Sequence, residues 1–155
     1  MRYKITESGF TLLEILVVIT LILIIAGIAL PRFAGVTDEG RKAKAKAELT
    51  TVQTALESYL LNTSSTVPGT SWTTMGTALE AAIPRLVGKT SIMYDPFGAT
   101  ATTNYSVAKS PNGKYYVLWS LGPDKAAQVT GVDNTGNVTP AAIGDDVLVT
   151  NGQVQ

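Results

Sequence analysis

From Phe10 to Leu30 the chain is apolar at all but a few positions, and Glu14 is the one ionisable side chain in that run. About 20 such residues in helical form are enough to cross the hydrocarbon of a bilayer, so the stretch predicts a membrane-length helix. Pro31 follows at once, and a proline inside a helix removes a backbone hydrogen bond and tends to bend it. Helical periodicity resumes after Gly35, which predicts a kink at Pro31 rather than a stop. Between Val36 and Leu61 the apolar positions Val36, Ala43, Ala47, Val52, Leu56, Tyr59 and Leu60 roughly follow the i, i+3, i+4, i+7 rule. The charged residues among them leave one side for solvent or for neighbouring copies. The other side should pack under a small head.

Asn62 to Thr74 is rich in Ser, Thr, Pro and Gly and reads as a loop. Thr77 to Ile83, with Leu79, Ala82 and Ile83 on one side and Pro84 beyond, reads as a short helix. Tyr94-Asp95-Pro96-Phe97-Gly98 is a dense turn signal. Tyr105 to Val107 and Lys114 to Leu121 read as strands, joined by a turn at Pro111-Asn112-Gly113. Alternation puts Tyr115, Val117, Trp119 and Leu121 on one face of the second strand and Tyr116, Leu118 and Ser120 on the other. A last short strand is expected at Val147 to Val149. The sum is an α+β fold, a long N-terminal helix packed on a small antiparallel sheet. Its expected divisions are 1-9, a leader; 10-31, the membrane helix; 32-61, the helix continuing under the head; and 62-155, the head.

Glu14 is the chemical anomaly. A carboxylate near the start of a membrane helix costs roughly 2.5 to 3.5 kcal/mol on insertion scales, so it calls for a partner. Met1 to Gly9 carries Arg2 and Lys4, which tend to stay in the cytoplasm while the rest is translocated. A cut after Gly9 would give Phe10 a charged amine four residues from Glu14, able to pair with Glu14 of the same or a neighbouring copy. An ordinary signal peptide would instead be cut after the apolar run, where Ala26 to Ala29 could mimic the site. A plain single-pass anchor, with Glu14 incidental, is the bland alternative.

Gly9-Phe10-Thr11-Leu12-Leu13-Glu14, with the basic leader before it and the apolar helix after it, resembles the class III signal of the type IV pilin-like superfamily. The resemblance implies a prepilin peptidase that cuts after Gly9, methylation of the new N-terminal Phe10, a stalk kinked near Pro31, and Glu14 guiding subunit docking. It also implies an inner-membrane subunit with its leader in the cytoplasm and its head in the periplasm. Such a subunit would form a homopolymer with the help of an inner-membrane assembly platform and minor pseudopilins.

Composition narrows the choice. Lysine plus arginine balance aspartate plus glutamate at 12 against 12, and losing Arg2, Lys4 and Glu7 with the leader leaves 10 against 11. No basic footprint marks nucleic acid as a main partner. Arg41, Lys42, Lys44 and Lys46 form the densest basic cluster, readable as a contact for anionic headgroups or acidic neighbours, or as a solvated face. Cysteine and histidine are absent, which rules out disulfides and thiolate sites and removes the commonest general base. Many type IVa pilins close the C-terminal region with a disulfide; major pseudopilins of type II secretion systems resemble them in the stalk but typically use calcium there.

Two further segments resemble those major pseudopilins. Asp95-Pro96-Phe97-Gly98 is similar to their Asp-Pro-Trp-Gly turn, where the aromatic fills space between helix and sheet. Ser120-Leu121-Gly122-Pro123-Asp124 is similar to the start of their calcium loop, and Asp145-Asp146 to the pair that closes it. The implied ligands are the Leu121 carbonyl and the carboxylates of Asp124, Asp145 and Asp146, chemistry that suits Ca²⁺ with its six to eight oxygen ligands. Lys125 stands where glycine is usual, and the loop is longer than the family's. Asp133-Asn134-Thr135-Gly136-Asn137 lacks the full EF-hand spacing; Asp133 is a lesser candidate ligand, and the segment also reads as an Asn/Gly turn. A solvated acidic loop is the alternative to calcium.

The sequence therefore reads as a non-enzymatic subunit, a major pseudopilin whose periplasmic filament drives type II protein secretion. A type IV pilus subunit for adhesion or motility is the alternative within the superfamily. A membrane-tethered binding domain using its aromatics and acidic loop is the alternative outside it, and an enzyme resting on aspartates alone is the weakest case.

Overall fold

A computed structural model describes residues 9–63, 66–82, 84–140 and 142–154, with the side chains of residues 30–34 and Ser91 left aside. The leader positions up to Ser8, and Ile83 of the expected short helix, lie outside the described residues. The chain forms two compact units, Met1–Asp38 and Glu39–Gln155.

Helix α1 spans Leu12–Asn62. Its start is chemically marked, because the Thr11 hydroxyl accepts the Glu14 backbone N–H at 3.2 Å, as an N-cap residue does for the third residue of a helix. The helix runs through Pro31 without a stop. In the second unit it buries Ala45, Leu49, Val52, Ala55 and Leu56. Ala43 and Ala47, expected on this face, are exposed. A two-residue offset turns a side chain by about 200° on a helix of 3.6 residues per turn, and alanine is too small to mark a face. The larger Leu49 sets it.

Helix α2, Trp72–Ala81, begins five residues before the expected helix, inside the segment read as a loop. Ser71 caps it: its hydroxyl accepts the Thr74 N–H at 3.3 Å, and Thr74 Oγ1 accepts the Ser71 N–H at 3.2 Å. This is a capping box with threonine where glutamate or glutamine usually signals one. A short 3₁₀ turn follows at Thr90–Ile92.

The main sheet has three antiparallel strands in the order β1-β2-β5, where β1 is Ser106–Lys109, β2 is Tyr116–Ser120 and β5 is Val147–Thr150. All five residues of the central strand β2 are buried. Alternation divides them as expected. Tyr116 and Leu118 join a core with the buried residues of α1 and with Trp72, Met75 and Leu79 of α2. Val117 and Trp119 join a second core with Val129, Val132 and Val138. Those last three come from the long segment after β2, which contains the small hairpin β3 (Gly131–Val132) and β4 (Val138–Thr139). The segment read as an acidic loop is thus also the cover of the sheet's second face.

Polar contacts fasten the helix to the sheet. Tyr105, buried against Trp72 with ring centroids 5.0 Å apart, donates its hydroxyl to Glu48 at 2.7 Å. Burial and then the Glu48 carboxylate push the Tyr105 phenol well above its ordinary pKa, so it stays a donor. Lys46 Nζ donates to the Leu148 carbonyl at 3.0 Å, and Gln53 Nε2 to the Thr150 carbonyl at 3.1 Å. Replacing Tyr105 by phenylalanine removes the donor to Glu48. Hydrogen bonds to charged groups contribute about 1.5 to 3 kcal/mol, and the partial exposure of Glu48 reduces this, so Tyr105→Phe should cost about 1 to 2 kcal/mol. Thermal unfolding of the full chain in detergent measures it.

Candidate functional site

The N-terminal unit offers an unburied apolar surface. Gly9 precedes the helix and is exposed, and Phe10 is 79% exposed. From Leu12 to Ala29 the helix is long and apolar enough to cross a membrane, with no residue of that window buried. Glu14 is exposed in its first turn. A carboxylate there faces the positive end of the helix dipole, and Thr11-Leu12-Leu13-Glu14 has the spacing of a capping box. Glu14 therefore has a local reason to sit at this end of the helix as well as the docking role expected of it.

In the second unit, the expected ligands lie on the segment that opens after β2 and closes before β5. Leu121 and Gly122 leave β2 with Gly122 at φ +70°, and a Cβ on that glycine would sit 2.5 Å from the Asp145 carbonyl oxygen. Asp145 Oδ2 accepts the Asp124 N–H at 3.0 Å. Asp124 in turn accepts the Ala126 N–H at 2.8 Å and the Gln128 side-chain amide at 2.5 Å. Asp146 Oδ2 accepts two backbone amides, those of Gln128 and Val129, both at 2.8 Å. Burial raises the Asp146 carboxyl above its ordinary range; the two amides oppose this, and the charges of Asp145 and Asp124 add to it.

The donor chemistry suits a hard cation. Asp146 is buried, and its Oδ1, like Gln128 Oε1, is a buried oxygen without a hydrogen-bond partner. Unpaired buried oxygens on a loop that also carries Asp124 and Asp145 are of the kind Ca²⁺ would satisfy. The arrangement is incomplete: among the described residues no three carboxylates gather closely enough to hold a metal ion. Asp124, Asp145 and Asp146 spend oxygens on loop N–H groups, and their side chains would have to turn to share one centre. Lys125, in the position the resemblance gives to glycine, adopts φ +60°. The backbone there is left-handed, the conformation glycine adopts most readily, although the residue is lysine.

Asp133 is committed elsewhere. Its Oδ1 accepts the Thr135 hydroxyl and the N–H groups of Thr135 and Asn137, closing the turn between β3 and β4. These bonds, led by the Thr135 hydroxyl, hold its carboxyl below its ordinary range. The Asn/Gly-turn reading is the one the geometry bears out.

Two residues of the loop's surroundings escaped the sequence reading. Gln128 carried no motif. Asp95 stood inside a recognised turn, but only Phe97 was given a role there; Phe97 is indeed buried. Asp95 is buried as well, and its carboxylate accepts the Phe97 N–H at 2.9 Å, the Ser120 hydroxyl at 2.5 Å and the Leu121 N–H at 3.0 Å. An aspartate before proline and glycine signals a local turn; nothing in the sequence says that it reaches the end of β2. The basic cluster is dispersed. Lys44 lies 3.8 Å from Glu48 and Lys42 3.8 Å from Glu39, while Lys46 donates to the Leu148 carbonyl of β5. Lys42 and Lys46 line a groove with Ile143 to Leu148, so they lie near Asp145 and Asp146.

The comparisons with known proteins bear on the N-terminal segment and on the chain as a whole. A family model described as the prokaryotic N-terminal methylation motif matches residues 6–30. A type II secretion system core protein G of Pectobacterium carotovorum is 26% identical over 130 residues, covering 76% of this chain and 77% of that protein. A core protein G of Escherichia coli is 37% identical over 62 residues, 40% of this chain and 43% of that protein. A fimbrial protein of Pseudomonas aeruginosa is 36% identical over 55 residues, 36% of each chain. No solved structure matches. The resemblance to the type IV pilin-like superfamily, and to the major pseudopilins within it, is borne out: the chain carries the methylation motif and is similar to pilin-like subunits.

Gly122 is the tightest point of the loop. Gly122→Ala would combine a left-handed backbone with a clash on the Asp145 carbonyl. Strain of this kind costs on the order of 1–3 kcal/mol, and the expected readout is a lower melting temperature with faster amide exchange at Gln128 and Val129.

Proposed function

We propose that the chain is the major pseudopilin of a type II secretion system, a non-enzymatic subunit that waits in the inner membrane and polymerises into a periplasmic filament. The observation that carries this reading is the exposed membrane-length helix with Glu14 in its first turn, directly after Gly9-Phe10. The relatives named core protein G support the secretion role. Processing by a prepilin peptidase frees the Phe10 amine. Stored in lipid, the helix is solvated by acyl chains; in a filament it is solvated by its neighbours, and neither state exposes to water apolar area that would cost roughly 25 cal/mol per Å². Glu14 pairs with a neighbouring Phe10 amine and selects docking register more than it adds net stability. Positive residues of the leader keep that end in the cytoplasm. An inner-membrane platform and minor pseudopilins are the partners this role calls for.

Calcium belongs to the same proposal. Asp124, Asp145, Asp146 and the Leu121 carbonyl would hold it, and a bound cation would offset the mutual repulsion of the carboxylates. Its binding would couple to folding of the segment that covers the second face of the sheet.

A pilus subunit is the second reading, favoured by the relatives named fimbrial protein. Deletion of the gene separates the two: secreted enzymes retained in the periplasm are expected, whereas loss of surface fibres with secretion intact would mark a pilus. Glu14→Ala should abolish filaments seen by electron microscopy while leaving the head's melting temperature unchanged; normal filaments would remove Glu14 from docking. Millimolar Ca²⁺ should raise the melting temperature of the full chain in detergent, by an amount equivalent to about 2.7 kcal/mol at a hundred times the dissociation constant. An unchanged melting temperature defeats the calcium claim.

A further inference from the structure

We propose that Asp95 is a positioning residue that sets the geometry of the acidic loop from an earlier turn of the head. Twenty-five residues before the loop opens, Asp95 is 3% exposed. Its own turn is closed by the Gly98 N–H on the Asp95 carbonyl at 3.0 Å, and its N–H donates to the Thr103 carbonyl at 2.8 Å. That leaves the carboxylate to be shared. One oxygen takes the Phe97 N–H and the Ser120 hydroxyl; the other takes the Leu121 N–H. The carboxylate therefore binds both its own turn and the last residue of β2 with the first residue beyond it.

The consequence runs along a short chain of contacts. Holding the Leu121 N–H orients the peptide that follows, and Gly122 then meets the Asp145 carbonyl at a distance that leaves no room for a Cβ. Asp145 receives the Asp124 N–H, and the adjacent Asp146 receives those of Gln128 and Val129. Each link is a hydrogen bond or a close backbone approach, so the position of Leu121 is passed to all three loop aspartates. A buried carboxylate that accepts three donors is strongly held in place, because a buried charge without them is costly. Replacing it by a neutral amide keeps the volume but puts an N–H₂ group against one of the three donors. The carboxylate is suited to this post because it is acceptor-only.

The positioning role concerns the loop's own order; its effect on calcium rests on the calcium reading above, and the two are measured separately. The experiment uses the full chain in detergent, with Asp95→Asn and, as a milder change, Ser120→Ala, which removes one donor. Amide hydrogen exchange in the absence of added metal should quicken at Leu121, Gln128 and Val129 by tenfold or more in Asp95→Asn, while Leu118 and Val149 in the sheet keep their protection. Calcium titration of the same samples should then show at least tenfold weaker binding. Unchanged exchange at Gln128 and Val129 in a folded Asp95→Asn variant overturns the proposal. Uniformly faster exchange, sheet included, also overturns it, because Asp95 would then act on general stability. If Asp95→Asn does not fold, Ser120→Ala decides by the same amides. A wild-type chain that binds no calcium defeats the calcium reading alone, and the exchange pattern still tests Asp95.

Discussion

The head depends on one strand that has no side facing water. All of β2 is buried, with Tyr116 and Leu118 turned to the helices and Val117 and Trp119 turned the other way. A three-stranded sheet with apolar residues on both faces needs two covers, and only one of them is built from helices. The second is the stretch between β2 and β5, which contributes Val129, Val132 and Val138. Order in the acidic loop and integrity of the core are therefore the same physical question. A small head without disulfides has few other means of holding such a cover, which is why the bonds from Asp95, Asp145 and Asp146 matter out of proportion to their number.

The N-terminal unit works on the opposite principle. Nothing in the window from Leu12 to Ala29 is buried, and Phe10 is among the most exposed of its large apolar side chains. A surface of this extent is unfinished by itself, since exposed apolar patches of more than a few hundred Å² mark an interaction site. The carboxylate at its start supplies the one directional contact in an otherwise non-directional surface. Lipid and protein neighbours can both cover such a helix; on the proposed reading Glu14 is what would distinguish them.

Much of this was legible in the sequence for reasons that can be named. The apolar run and Glu14 depend on composition over twenty residues, a signal that tertiary context cannot override. The alternation in β2 was correct because strand periodicity is strict and its residues are large. The face of α1 was misjudged at Ala43 and Ala47, since small side chains weigh little in a helical pattern while Leu49 weighs much. The start of α2 was missed because Ser71 caps through a threonine. The hairpin β3–β4 was hidden because two-residue strands leave no periodicity to read. Asp95 was visible as a turn former, but its bonds to Ser120 and Leu121 span 25 and 26 residues, a distance at which local pattern carries no information. The loop aspartates were identified by resemblance; that they rest on backbone amides could come only from the fold.

The contacts of Lys46 and Gln53 with β5 bear on how copies of the chain can meet. β5 is an outer strand of the sheet, and an outer strand normally offers a row of open carbonyls on which another strand can pair. Here the Leu148 and Thr150 carbonyls are already taken by side chains of the same chain's helix. Along this border two of the carbonyls that an added strand would use are occupied, which disfavours its pairing. For a subunit proposed to stand shoulder to shoulder with many identical copies, occupied edge carbonyls work against cross-β clumping. It leaves reversible contacts between side chains as the means by which crowded heads touch and part.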